Sequence, residues 1–423
     1  MSLLIKNASF IVTPFKVVKD KSIYIENGEI VEFETQEADI VIDARGMVAL
    51  PGLINLHTHI PMTFLRGIAE DKGLEEWLNE EIWPREKKLN EKVVYYSSLL
   101  GIAESLRFGT TSFVDMYFFE EKVAEAAEKL GARAWVGEGI FDFFEKEKTE
   151  EEIKRAERVL KRVKKMKNEL INPTIAPHSV YTCSKELLQV CSEIAREKGI
   201  PLHIHISETK EEVEEARKKF GMTPLLYLSS FKFFERNRVI GAHGIWLSAR
   251  ELVLARKFNL TIAHCPISNL KLGSGIAPIE KYLKRGIKVG LGTDGPASNN
   301  SLDMFEEMKV AALLQKLSDV RFPTLEVIKM ATVYGARALG FKGGVIEENR
   351  PADIILVDLK KPHFMPIIKK EQVVNNLVYC AKGEDVAYTI VNGEIVCRGS
   401  VENLEKIESK VLEEVKKAGI VYE

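Results

Sequence analysis

The sequence predicts an α/β protein: a (β/α)8 barrel of the TIM type with a small β-sandwich assembled from both ends of the chain. Three patterns predict it. Eight apolar runs of strand length alternate with helical stretches, the order expected of βα units around a parallel sheet. An Asn-Gly hairpin near the start is repeated near the end. Seven of the eight histidines fall in these runs or just at their ends, which is where a barrel builds its active end.

The chain ends come first. Residues 1–50 alternate apolar and polar over 3–12, 22–25, 30–34 and 40–42, which reads as a small antiparallel sheet. Ile25-Glu26-Asn27-Gly28-Glu29-Ile30-Val31 is mirrored by Ile390-Val391-Asn392-Gly393-Glu394-Ile395-Val396. Asn-Gly is the dipeptide that tolerates the positive φ of a two-residue hairpin turn. Segments 1–50 and 352–400 are therefore expected to form one composite sandwich, with the barrel over 51–351 and a charged helix within 401–423.

The expected barrel strands are 52–59, 111–116, 132–139, 174–179, 202–207, 239–244, 260–265 and 288–295. One helix between them is sharply delimited: Ser184 as N-cap, Leu187, Leu188, Cys191 and Ile194 on one face, Gly199 and Pro201 at its end. Residues 60–90 exceed an ordinary βα loop and are expected to form a lid over the active end.

Composition narrows the function. With 423 residues, 45% of them hydrophobic, the chain can bury a barrel-sized core. Sixty basic against 62 acidic residues leave a formal charge of −2, which gives no general attraction for nucleic acid or an anionic membrane and suits a small substrate. Five scattered cysteines with no Cys-x-x-Cys argue against a disulfide framework and for a reducing cytoplasm. No targeting or membrane-spanning segment is read from the sequence.

The chemistry gathers at strand ends. His57 and His59 are two apart on the first strand, so one metal can take both. His203 and His205 repeat the spacing, with Glu208 three residues beyond. Asp294 ends the eighth strand between glycines that permit close approach to a bound group. A lone histidine is more often structural than a ligand, and Asp294 alone reads equally as a turn or helix cap. The clustering across five strands reverses that weighting.

Pro51-Gly52-Leu53-Ile54-Asn55-Leu56-His57-Thr58-His59, His203-Ile204-His205 with Glu208, Gly241-Ala242-His243-Gly244, His264-Cys265-Pro266-Ile267-Ser268-Asn269 and Gly292-Thr293-Asp294-Gly295 together resemble the amidohydrolase superfamily. Within it the chain is most similar to the 5-methylthioadenosine/S-adenosylhomocysteine deaminases. The resemblance implies that His57, His59, His205 and Asp294 hold one divalent metal, zinc first and iron as the alternative. It implies Glu208 as the general acid at purine N1, Asp294 as the acceptor of the water proton and His243 as a partner of the attacking oxygen. It further implies Trp77 and Glu86 at the ribose, His178 at the base and Ser298 at the purine edge. His203 and His264 are assigned structural or ligand-orienting roles, and His363 an ordinary surface position.

The implied reaction is hydrolytic deamination of an adenosine-type nucleoside, 5′-methylthioadenosine, S-adenosylhomocysteine or adenosine, to the inosine analogue and ammonia. Arg155, Arg158 and Arg162 lie on a charged helix expected to be solvated, and no arginine occurs over 140–149, so none is assigned to an amino-acid carboxylate. Guanine or oxidised-purine deamination and triazine dechlorination share the same metal site and are the runner-up readings; a non-catalytic scaffold is a third. Symmetric self-association is common for barrels of this size and is left open.

Overall fold

Eight parallel strands form the barrel in two hydrogen-bonded arcs. The first contains Leu53–Thr58, Thr110–Tyr117, Arg133–Ile140 and a fourth strand in two pieces, Ile171–Pro173 and Ala176–Pro177. The second contains Leu202–Ile206, Val239–His243, Thr261–His264 and Lys288–Leu291. Bridges Ile175–Leu202 and Thr58–Asp294 join the arcs. This computed structural model describes residues 1–34 and 36–420. Thr35 and the last residues of the expected C-terminal segment, Val421, Tyr422 and Glu423, lie outside the described residues.

The expected strands are all present. The fourth departs most from its expected span of 174–179: pairing begins earlier, at Ile171, and is interrupted. Pro173 and Pro177 have no N–H to give a ladder. Between strands one and eight, Asn55 Nδ2 donates to Thr293 Oγ1 (2.7 Å) while Asn55 Oδ1 accepts from the Thr293 backbone N–H (3.0 Å). That double contact sets the two strands whose ends carry His57, His59 and Asp294. A Cβ on Gly292 would lie 2.7 Å from the His57 carbonyl oxygen, so only glycine lets the strands approach this closely.

The small domain draws five strands from the start of the chain (Ser2–Val12, Val17–Glu26, Glu29–Glu32, Ile40–Asp43, Met47–Pro51) and four from beyond the barrel (Arg350–Pro351, Ile354–Asp358, Val386–Val391, Glu394–Arg398). They form one nine-stranded sheet in which Met47–Pro51 pairs antiparallel with Ile354–Asp358. The sheet is mixed rather than antiparallel, because Ile40–Asp43 runs parallel to the first strand; alternation shows which face is buried but not strand direction. Asn27 (φ 51°), Gly28 (83°), Asn392 (51°) and Gly393 (80°) all adopt positive φ, as the hairpin reading requires. The hairpins meet across Ala352, whose N–H donates to Gly28 O and whose carbonyl accepts from Gly393 N–H. Leu3, Ile5, Ile23, Ile25, Ile354, Leu356 and Ile390 form the core of this domain. A buried bidentate ion pair, Arg133 to Asp353 at 2.8 and 3.1 Å, ties it to the third barrel strand.

The delimited helix is Lys185–Lys198, with Ser184 Oγ accepting from Leu187 N–H and Gly199 at φ 66° closing it. The C-terminal helix Leu404–Lys417 buries Ile407, Val411 and Val415 in the same core as the helix Glu91–Arg107. Residues 60–86 form short helical turns, Ile60–Leu65, Leu74–Glu76, Trp77–Ile82 and Trp83–Glu86. They lie over the active end of the barrel, contributing Leu74, Trp77, Leu78 and Glu86 to its cavity. Among the described residues no helix is long and apolar enough to cross a membrane.

Candidate active site

One atom each from His57, His59, His205 and Asp294 converge, all within 4.8 Å of one another. Their orientation follows from what holds their far sides. His59 Nδ1–H donates to the Met116 carbonyl and His205 Nδ1–H to the His178 carbonyl (2.9 Å). Both rings are thereby fixed with Nε2, rather than Nδ1, facing inward. His57 Nδ1 lies 2.9 Å from His203 Nε2, so His203 holds the far side of the His57 ring. His57 Nε2 is buried with no hydrogen-bond partner among the described residues, a costly state for a polar atom. It stands 3.2 Å from Asp294 Oδ1, as does His59 Nε2. Three imidazole nitrogens and one carboxylate oxygen, with one nitrogen orphaned, suit a divalent transition metal.

Asp294 is in the left-handed region (φ 60°), which turns its side chain from the strand end into the cluster. Its other oxygen, Oδ2, accepts from Ser268 Oγ (2.6 Å) and Ser298 Oγ (2.8 Å). Ser298, expected at the purine edge, is therefore engaged with Asp294 and buried. It does not line the cavity, because the turn Pro296–Asn299 folds it back toward the strand end.

The cavity above the cluster is bounded by His59, His178, His205, His243, Glu208 and Asp294 on the barrel side and by the lid on the other. Glu208 is buried, with Oε1 accepting from Ser274 Oγ (3.2 Å) and Oε2 3.7 Å from His243 Nε2. Burial raises its pKa above the ordinary carboxylate range, and the Asp294 charge adds to this. The adjoining Ser207 has φ 50°, and the Glu212 carboxylate accepts both the Ser207 (3.0 Å) and Glu208 (2.6 Å) backbone N–H groups. Glu212 sits one turn into the helix Lys210–Phe220 and reaches back over the strand end, a placement that sequence spacing does not reveal. Burial drives His178 down to about 3, so it is neutral, and its Nδ1 lies 2.9 Å from Thr182 Oγ1.

On the lid side, Trp77 is buried with its indole N–H unpartnered among the described residues. Glu86 Oε1 accepts from the Tyr117 hydroxyl (2.7 Å), and burial pushes Glu86 up to about 7. Tyr117, Phe118, Phe141 and Tyr181 also line the cavity. They were not singled out from the sequence, where an aromatic at a strand end carries no pattern of its own. Trp83 lines it too.

Beyond Trp83 and Glu86 lies an adjoining cavity of about 600 Å³, walled by Phe118, Phe119, Phe141 and Phe143 and edged by Glu138, Arg155 and Arg158. Here the expectation of a solvated helix fails for Arg155. It is ion-paired with Glu138 (2.6 Å) and Glu152 (2.8 Å) and partly buried, because the helix Lys146–Met166 turns this position toward the third strand. His264 is buried, with neither ring nitrogen partnered among the described residues. His363 is half-exposed beside Asp385.

Residues 48–396 match the pattern of the amidohydrolase family. The chain belongs to that family. This amidohydrolase is 46% identical over 401 residues, 93% of its length and 94% of the relative's, to the 5-methylthioadenosine/S-adenosylhomocysteine deaminase of Pyrococcus furiosus. It is also 46% identical to the 5′-deoxyadenosine deaminase of Methanocaldococcus jannaschii, covering 94% of this chain and 93% of that one. Among solved structures, a zinc-bound adenosine deaminase from Xanthomonas campestris superposes with a TM-score of 0.90 at 30% identity, covering 99% of each chain. The atrazine chlorohydrolase TrzN of Arthrobacter aurescens, complexed with zinc, superposes at 0.86 and 25% identity, covering 98% of this chain and 100% of that one.

Proposed function

We propose that this amidohydrolase hydrolytically deaminates an adenosine-type nucleoside, with 5′-methylthioadenosine, S-adenosylhomocysteine, 5′-deoxyadenosine and adenosine as the candidate substrates. The observation that carries the reading is that one cavity is lined by three of the four convergent residues, His59, His205 and Asp294, together with Glu208 from the barrel and Trp77 and Glu86 from the lid. A nucleoside has chemistry to match both walls; a free base has nothing to offer the lid pair. The names of the relatives point the same way.

His57, His59, His205 and Asp294 would hold one metal, zinc by preference, whose Lewis acidity makes a water ionise near pH 7. Asp294 accepts the proton of the attacking water. Attack at C6 breaks the aromaticity of the ring, so N1 must gain a proton at the same time, and Glu208, whose pKa is raised by burial, supplies it. His243 hydrogen-bonds the incoming oxygen. Proton delivery to the exocyclic nitrogen then expels ammonia. Trp77 donates its free indole N–H to a sugar oxygen, and Glu86 accepts from sugar hydroxyls. Neutral His178 meets the base edge. The adjoining aromatic cavity gives a 5′ substituent room to extend. A reducing cytoplasm suits the five free cysteines.

The test is ammonia release from the metal-loaded chain with the four nucleosides, adenine and guanine, and with Glu208→Gln as the matched control. Release from nucleosides, lost in the variant, supports the reading. Release only from free bases would transfer the site to the guanine-type reaction, and silence across the panel would refute nucleoside deamination.

A further inference from the structure

The motif after the seventh barrel strand, Cys265-Pro266-Ile267-Ser268-Asn269, supplies no metal ligand and no reacting group, yet its side chains point at two of them. Pro266–Lys271 is a short helical turn closed by Asn269 N–H donating to the Cys265 carbonyl (3.0 Å). Ser268 Oγ donates to Asp294 Oδ2 (2.6 Å), and Asn269 Oδ1 stands 2.8 Å from His243 Nδ1. Both side chains are buried. The turn is itself anchored: the Glu307 carboxylate accepts from Ile267 N–H (3.4 Å) and from Asn299 Nδ2 (2.5 Å). The seventh and eighth strand-end turns are therefore held as one unit.

We infer that Ser268 and Asn269 are a positioning pair: Ser268 fixes the outer oxygen of Asp294, and Asn269 fixes which ring nitrogen of His243 carries the proton. With Oδ1 against the ring, His243 Nδ1 must be the donor, and Nε2 faces the cavity as a lone pair beside Glu208. An amide turned the other way would present N–H to Nδ1, reverse the tautomer and aim an Nε2–H at the attacking water. Asn269 Nδ2 has no partner among the described residues, so the contact to His243 is the one hydrogen bond of that side chain among them. For Asp294, tying up Oδ2 leaves Oδ1 to face the histidines, which orients the carboxylate for a metal.

The inference rests on the proposed reaction only for its activity arm. The direct readout is histidine-ring nitrogen NMR on the zinc-loaded chain, with the His243 signals assigned by their loss in His243→Gln. The expected result is the Nδ1–H tautomer in the parent and in Asn269→Asp, and its loss in Asn269→Leu. With whichever nucleoside is turned over, Asn269→Leu lowers kcat about 10–100-fold while KM moves less than about threefold, and Asn269→Asp restores most of it. Ser268→Ala weakens zinc about tenfold in a competition titration. An Nε2–H tautomer in the parent, an unchanged tautomer in Asn269→Leu, or unaltered zinc affinity in Ser268→Ala would overturn the pair. Failure of every nucleoside would overturn the deaminase reading while the tautomer and zinc results still decide this one.

Discussion

Replacing Glu212 by alanine should disable Glu208, the proposed general acid, without touching it. The Glu212 carboxylate is the acceptor for the backbone N–H groups of both Ser207 and Glu208, at 3.0 and 2.6 Å, and both residues are buried. Each N–H left unsatisfied costs about 1–3 kcal/mol, so the native loop is destabilised by about 2–6 kcal/mol. At about 2.1 cal/mol/K per residue, the 423 residues give an unfolding entropy near 0.9 kcal/mol/K, so Tm falls by about 2–7 °C. The larger consequence is geometric. Ser207 holds a left-handed φ of 50° that the two hydrogen bonds stabilise; released, the strand end relaxes and Glu208 moves. A displacement of about 1 Å costs about 100-fold in rate. Glutamine keeps one acceptor and brings one donor, so Glu212→Gln should fall between the parent and Glu212→Ala. The assay is ammonia release under saturating nucleoside, paired with calorimetry. Equal kcat in all three proteins would refute the argument that Glu212 sets the aim of Glu208.

Glu208→Gln should lose about 10²–10⁴ in kcat with little change in KM. Because burial raises the Glu208 pKa and the protonated form is the working one, kcat/KM should fall as pH rises through that raised pKa, and pH profiles of the two proteins should differ by the loss of this limb. Ser298→Ala should lower kcat about tenfold and leave KM nearly fixed, since the hydroxyl holds Asp294 Oδ2; a rise in KM alone would return Ser298 to the purine edge. Asp353→Asn leaves Arg133 buried without its charge partner, costing about 3–5 kcal/mol, and calorimetry should show Tm lowered by about 3–6 °C with kcat unaffected.

The parts of the site legible in the sequence are those set by chain geometry alone. His57 with His59, His205 with Glu208, and Asp294 between glycines are strand-end patterns, and a barrel brings strand ends together whatever fills the rest. The resemblance supplied Trp77 and Glu86, which no periodicity marks. What stayed hidden depends on side-chain direction between elements. Ser298 bonds to Asp294 because of how a four-residue turn folds. Arg155 sits in a run of charges whose inward face is set by the neighbouring strand rather than by its own composition. Ser268 and Asn269 stand in a motif of the resemblance, but their partners, like those of Glu212, lie across the ends of separate elements, which spacing does not reveal. In the small domain, alternation revealed the strands but not that Ile40–Asp43 runs parallel to the first.

That His57, His59, His205 and Asp294 carry a metal-dependent deaminase is decided by returning zinc to the chelated chain while following ammonia release from the preferred nucleoside. Activity should be absent at first, rise linearly and saturate at one zinc per chain, with Asp294→Ala silent throughout. Full activity without metal, or saturation only at two equivalents, would contradict it.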